Sequence, residues 1–202
     1  MIFIYRVLYP IFFVILSPYY LRRMIKRGGY GKKLFYRLGF WPTLLPKNSN
    51  KKRIWIQAVS VGELSSINTL LQAFIADPKI EIVLSGTTST GQKIAEQKHA
   101  KDILALGPFP LDWFPFSSLA WSRIQPDLAI CVDSELWPEH MYQAKKRGVP
   151  FFIVNARLSD RSFSRLGSLG IFRNLLLPNN LRILASSEKQ REKWITIGLD
   201  KQ

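Results

Sequence analysis

The 202-residue sequence predicts an α/β fold: a Rossmann-like parallel sheet with helices on both faces, preceded by an N-terminal membrane-anchor helix. Three observations predict it. From residue 53 onward, short apolar runs alternate with helix-like segments, the pattern of βαβ units. The runs are apolar at nearly every position, as strands covered on both faces must be. Ahead of them, an apolar stretch ends abruptly in a basic cluster.

The N-terminal stretch reads as the anchor, over residues 1–21. Val7 to Leu21 is apolar or aromatic except for Pro10, Ser17 and Pro18. Arg22, Arg23, Lys26, Arg27, Lys32, Lys33 and Arg37 follow, with no acidic residue among them. A clean span needs about 20 apolar residues. This run is shorter, carries Arg6 and holds two prolines, so a tilted span and an anchor lying in the interface both stay open. Tyr5, Tyr9, Tyr19, Tyr20 and Tyr30 suit the headgroup zone, and the basic flank would sit on the cytoplasmic side of an inner membrane. A cleaved signal peptide has its charge before the apolar run and small residues at its end; this order is the reverse. A buried core helix would have to bury the basic cluster as well.

The formal net charge is +15, a field that attracts polyanions. Much of the excess lies in the flank and in Lys47, Lys51, Lys52 and Arg53, which makes lipid the first partner to consider. No zinc-finger spacing, aromatic RNA-binding signature or recognition helix points to nucleic acid. The single Cys131 falls in an apolar run and reads as a small buried residue. His99 and His140 are too isolated for a metal site and read as surface residues.

Residues 22–52 form the basic flank and a linker, with Pro42 to Asn50 its polar part. The globular domain, 53–202, opens with a strand over Arg53 to Val59. A helix is expected from Gly62 to Ala76, where Leu64, Ile67, Leu70, Leu71 and Phe74 share a face. Ile80 to Leu84 is a strand, Ser85 to Gly91 a loop and Gln92 to His99 a helix. Ile103 to Leu106 is a short strand. Residues 108–118 read as irregular and lead into a helix ending near Ile124. Asp127 to Val132, Pro150 to Val154 and Arg182 to Ala185 are strands. Trp137 to Arg147, Ser162 to Leu176 and Glu188 to Ile197 are helices.

In such sheets ligands gather beyond the carboxyl ends of the strands, so the residues just after strands are the candidates. Three junctions stand out. In Ala58-Val-Ser-Val-Gly-Glu63, Gly62 allows close backbone approach, and Glu63 falls in a first helical turn whose dipole favours a carboxylate. There it is placed as a general base, or it only stabilises a helix start. In Ser85-Gly-Thr-Thr-Ser-Thr-Gly91, hydroxyls and N–H groups before a helix can hold phosphate or sugar oxygens, and a capped turn is the plainer reading. No P-loop lysine is present. In Asp133-Ser-Glu135 and Asn155-Ala-Arg157, Glu135 and Arg157 can pair across neighbouring strand ends; alternatively Arg157 binds an acidic ligand.

Taken jointly, IWIQAVSVGEL, LSGTTSTGQ, PDLAICVDSELWPE, RGVPFFIVNARLSDRSFSR and LASSEKQREKW resemble, in order and separation, the N-terminal half of the 3-deoxy-D-manno-octulosonic acid (Kdo) transferases of lipopolysaccharide synthesis. The resemblance spans nearly the whole chain. It implies half of a GT-B glycosyltransferase, in which two Rossmann-like domains face each other across a cleft. It implies transfer of Kdo from CMP-Kdo to a phosphorylated lipid A precursor, with inversion at the anomeric centre. It implies a bond-making step without a metal, and it implies no cofactor. The N-terminal domain would bind the acceptor, with Glu63 as the base on its hydroxyl. Ser60 and Gly62 would shape the loop, Thr87, Thr88 and Gly91 would bind the acidic sugar or an acceptor phosphate, and Glu135 and Arg157 would organise the site. The sequence departs from the family in ending at Gln202 with no donor domain evident, and in having Asp133-Ser134 where the family commonly has an acidic residue and Thr. A membrane-bound lipid-binding module without turnover is the alternative from another class.

Overall fold

The computed structural model describes residues 1–26, 31–44, 46, 50–58, 60–133, 135–168, 170, 173–178 and 181–198. Arg27, Tyr30, Lys47, Val59 and Ser134, named above, lie outside the described residues, as do the side chains of Tyr20, Arg23, Lys26 and Lys32.

Six strands form one sheet: β1 (Lys52–Gln57), β2 (Ile80–Gly86), β3 (Ala105–Pro108), β4 (Leu128–Val132), β5 (Phe151–Ala156) and β6 (Leu181–Ala185). All neighbours run parallel, in the order β3-β2-β1-β4-β5-β6. The order reverses direction between β1 and β4, where Ile56 pairs with Leu84 on one side and with Ile130 on the other.

Alternation along the strands feeds two cores. Ile54, Ile56, Ile82, Leu84 and Ile130 pack under α2 (Val61–Ser66), α3 (Asn68–Ala76) and α4 (Ser89–His99). Trp55, Val83, Ala129, Cys131 and Ile153 face the other way, under α5 (Phe114–Ile124), α6 (Pro138–Lys146) and α9 (Glu188–Thr196). Both faces are covered, which is why the strands lack polar alternation. On the second face, Trp55 is ringed by Trp121, Phe109 and His140 at 5.3–5.6 Å between ring centres. The predicted linker contributes to this core. Trp41 is fully buried against Trp55, and the Tyr36 ring of the 3-10 helix Gly31–Leu38 packs tilted against Trp41, with ring centres 5.2 Å apart.

Several elements differ from expectation for local reasons. The helix over 62–76 breaks at Ile67, where the Ser66 hydroxyl turns back onto the Glu63 carbonyl (2.8 Å). Helix α4 starts at Ser89, inside the expected loop, because Thr88 caps it by accepting from the Gly91 N–H (3.2 Å). The helix over 162–176 starts earlier and divides into α7 (Asp160–Gly167), capped by Ser159, and the short α8 (Arg173–Leu176). Helix α5 begins within the stretch read as irregular, with proline in its first turn.

The histidines are corrected too. His99 and His140 are buried, not exposed. His140 Nδ1 accepts from the Trp121 indole (3.1 Å), and burial pushes the imidazole down to about 3, so it is neutral. Arg53 is no part of a lipid-facing surface. It is buried in an ion pair with Glu81 (2.9 Å) and donates to the Ile124 carbonyl (2.8 Å).

The N-terminal helix α1 runs from Ile2 to Lys26 through Pro10 and Pro18. Within it Ile2–Tyr19 has a mean hydropathy of 1.7 and none of it is buried. Two of its polar residues are not where a simple anchor would put them. Tyr5 donates to buried Asp112 (2.6 Å), and Arg6 pairs with buried Glu139 (2.8 Å). In the flank, Lys33 pairs with Glu96, and Arg37 donates to the Phe109 carbonyl (2.8 Å), so part of the basic excess is turned onto the domain.

Candidate active site

The chain leaves β1 and β4 on opposite faces of the sheet, so their carboxyl ends form the switch point at which ligands bind in open α/β sheets. Glu63 follows β1 and Glu135 follows β4, so both candidate carboxylates come to this edge, close enough for the charge of Glu63 to act on Glu135.

Ser60 builds the Glu63 side. Its backbone is extended and its hydroxyl accepts from the Glu63 N–H (3.3 Å), capping α2. The same hydroxyl donates to Glu63 Oε1 (3.1 Å). One serine therefore starts the helix and holds the carboxylate at its positive end. A Cβ on Gly62 would meet only Ser60 Oγ, at 3.8 Å, so the space over this turn is open.

Glu135 is mostly buried. Burial, then the charges of Glu63 and Asp133, push its carboxyl up from 4.5 to about 7. Near neutrality it therefore keeps a protonated population, and that form can donate a hydrogen bond. Burial in the core pushes the Cys131 thiol well up, with the charges of Glu135, Asp112 and Glu63 adding to the effect. Cys131 is thus an inert core residue, as the sequence suggests. Asp133 makes the turn out of β4 in the left-handed region (φ +66°), which an aspartate tolerates, and its N–H donates to the Val154 carbonyl (2.9 Å).

The second junction is assembled mainly for packing. Thr88 spends an acceptor on the α4 cap. A Cβ on Gly91 would lie 2.8 Å from Thr88 Oγ1 and 3.5 Å from the Ser60 carbonyl carbon, so glycine there lets the start of α4 close onto the start of α2. Thr87 lies half-buried on the same edge. Arg157, beyond β5, is exposed and donates to Asn155 Oδ1 (3.4 Å). Among the described residues it makes no ion pair with Glu135, so the expected bridge between strand ends is not formed.

Sequence reasoning passes over Asp112 and Glu139, although Glu139 closes the SELWPE stretch, and names Asp133 without giving it a role. A lone arginine inside an apolar run is the available signal that α1 needs a buried acidic partner.

Residues 32–202 match the family described as 3-deoxy-D-manno-octulosonic-acid transferase (kdotransferase). The chain is 29% identical over 202 residues to the 3-deoxy-D-manno-octulosonic acid transferase of Rickettsia bellii, covering 95% of this chain and 44% of that protein. It is 29% identical over 180 residues to the transferase of the same name from Haemophilus influenzae, covering 88% and 41%. The chain therefore spans less than half the length of these relatives. In fold it is similar to a protein of Listeria monocytogenes described as a UDP-N-acetylglucosamine 2-epimerase, with a TM-score of 0.53, 10% identity, and coverage of 74% of this chain and 43% of that one. On the match over residues 32–202, the chain belongs to the N-terminal domain family of the Kdo transferases.

Proposed function

We propose that this chain is the acceptor-binding half of a membrane-bound Kdo transferase, working from CMP-Kdo onto a phosphorylated lipid A precursor at the cytoplasmic face of the inner membrane. The single observation that carries the reading is the meeting of Glu63 and Glu135 at the switch between β1 and β4 in a chain of this family. Their environments differ in the way acid–base chemistry requires. Glu135 is held partly protonated, while Glu63 is bound by Ser60 at a helix start.

In the reaction, an acceptor hydroxyl oxygen attacks the anomeric carbon of Kdo. The bond from that carbon to the CMP phosphate oxygen breaks, CMP leaves with the electron pair, and the hydroxyl proton passes to Glu63. Protonated Glu135 donates a hydrogen bond to a sugar oxygen. The exposed Arg157, Thr87 and the open backbone at Gly62 receive acidic groups of donor or acceptor. Most of the donor site belongs to a second domain. The unburied apolar length of α1 supports attachment to the bilayer that holds the acceptor's acyl chains.

The test is CMP release from CMP-Kdo with a short-chain acceptor, by this chain alone and by a polypeptide that adds a donor domain. Transfer in either setting supports the reading. Acceptor binding without transfer in both would favour a lipid-binding module. Absence of acceptor binding would sink both.

A further inference from the structure

Helix α6 begins directly after the Glu135 segment, and its first turn lacks a cap of its own. Its N-cap, Trp137, provides no side-chain hydrogen bond, and Pro138 has no N–H. Asp112 supplies what is missing. Its Oδ1 accepts from the His140 N–H at 2.9 Å, and the Glu139 N–H also faces the carboxylate. Asp112 Oδ2 is in turn held by the Tyr5 hydroxyl at 2.6 Å.

The next residue of α1 grips the same turn. Arg6 Nε and Nη2 bind the two oxygens of Glu139 at 2.8 and 2.9 Å. Its guanidinium lies over the Phe114 ring at 4.4 Å and the Tyr142 ring at 4.9 Å. The Arg6 carbonyl accepts from the Trp113 indole at 2.9 Å. Glu139 is fully buried, and Gln143 donates to it at 2.7 Å. A bidentate fork on a buried carboxylate is specific in a way that loose tethering does not need.

We infer that Tyr5 and Arg6 are positioning residues: through Asp112 and Glu139 they clamp the first turn of α6 and so hold the Glu135 segment, making the anchor helix a working part of the site. The clamp stands on its own contacts; its consequence for transfer rests on Glu135 belonging to the site.

Hydrogen exchange on the full chain, in vesicles of phosphatidylethanolamine and phosphatidylglycerol, tests it. Arg6→Ala should speed exchange over residues 135–142 by about tenfold, while β1, β2 and β5 stay within twofold and vesicle partitioning is unchanged. Arg6→Lys, which keeps the charge but loses the fork, should fall between. The Glu135 carboxyl should also change its titration midpoint in Arg6→Ala, a change that a merely tethering role would not produce. Exchange over 135–142 within twofold of wild type would overturn the inference. If Arg6→Ala loosens the whole domain, Tyr5→Phe decides, since it removes one hydroxyl and no charge. A local rise over 135–142 supports the clamp, and no rise overturns it. None of these readings depends on transfer, so the clamp and the proposed activity can fail separately.

Discussion

Glu135→Gln should stabilise this domain at alkaline pH. The folded protein raises Glu135 from 4.5 to about 7, first through burial and then through Glu63 and Asp133. Between those two values the folded state holds a proton that the unfolded chain has released. Stability therefore falls as pH rises from 4.5 and levels off beyond 7. Each pH unit separating the two midpoints is worth about 1.36 kcal/mol, so ionising Glu135 costs roughly 3 kcal/mol, most of it lost between pH 5 and 8. Glutamine keeps the shape and the neutral state throughout. Denaturant unfolding of wild type and Glu135→Gln at both pH values isolates the effect, because Asp112, also raised to about 7 by burial, is present in both proteins and cancels. The difference between the two proteins should grow by about 2–3 kcal/mol in favour of the variant from pH 5 to pH 8. A difference that stays flat would refute the account of a carboxyl squeezed by burial and by Glu63.

Other expectations follow from the same contacts. Glu63→Gln should lower the Glu135 midpoint below about 7 yet leave it above 4.5, since burial remains; NMR titration of the carboxyl carbon reads it. Arg53→Ala should cost about 1–3 kcal/mol in denaturant unfolding, because it takes a donor from the buried Ile124 carbonyl and the partner from the half-buried Glu81 carboxylate. Ser60→Ala should cost about 1 kcal/mol through the lost α2 cap and also lower transfer by freeing the Glu63 carboxylate. Binding of a short-chain phosphorylated acceptor should weaken with salt, because exposed charges are screened over about 8 Å at physiological ionic strength. Affinity independent of salt would shift recognition to acyl chains or sugar hydroxyls.

The strands are legible in the sequence because both faces of a parallel sheet are buried, and a run such as Ile54-Trp-Ile56 admits little else. Helix ends are less legible, since Thr88 and Ser159 act through single capping bonds that apolar periodicity does not register. Glu63 and Glu135 can be picked out as post-strand acids, but their meeting depends on β4 lying next to β1, which no local pattern encodes. Arg157 looks like a partner for Glu135 in sequence, whereas the fold turns the chain at Asn155 (φ +55°) and leaves Arg157 exposed. The charge count misleads most: Arg53, Lys33 and Arg37 are basic in sequence but engaged by the domain in the fold. The burial of His140 escapes the sequence because its partners, Trp121, Asp112 and Pro110, are distant along the chain.

The most direct test of the central claim is Kdo transfer by Glu63→Gln against wild type, alongside acceptor binding, in a protein that includes the donor domain. Glutamine keeps the polar contact to Ser60 but takes no proton from the acceptor hydroxyl. General-base assistance supplies about 10²–10⁴-fold in rate, so turnover should fall by that order while acceptor affinity stays within a few-fold. Near-normal turnover would contradict the assignment of Glu63 as the base. Lost binding with unchanged turnover at saturation would make it a ligand contact instead.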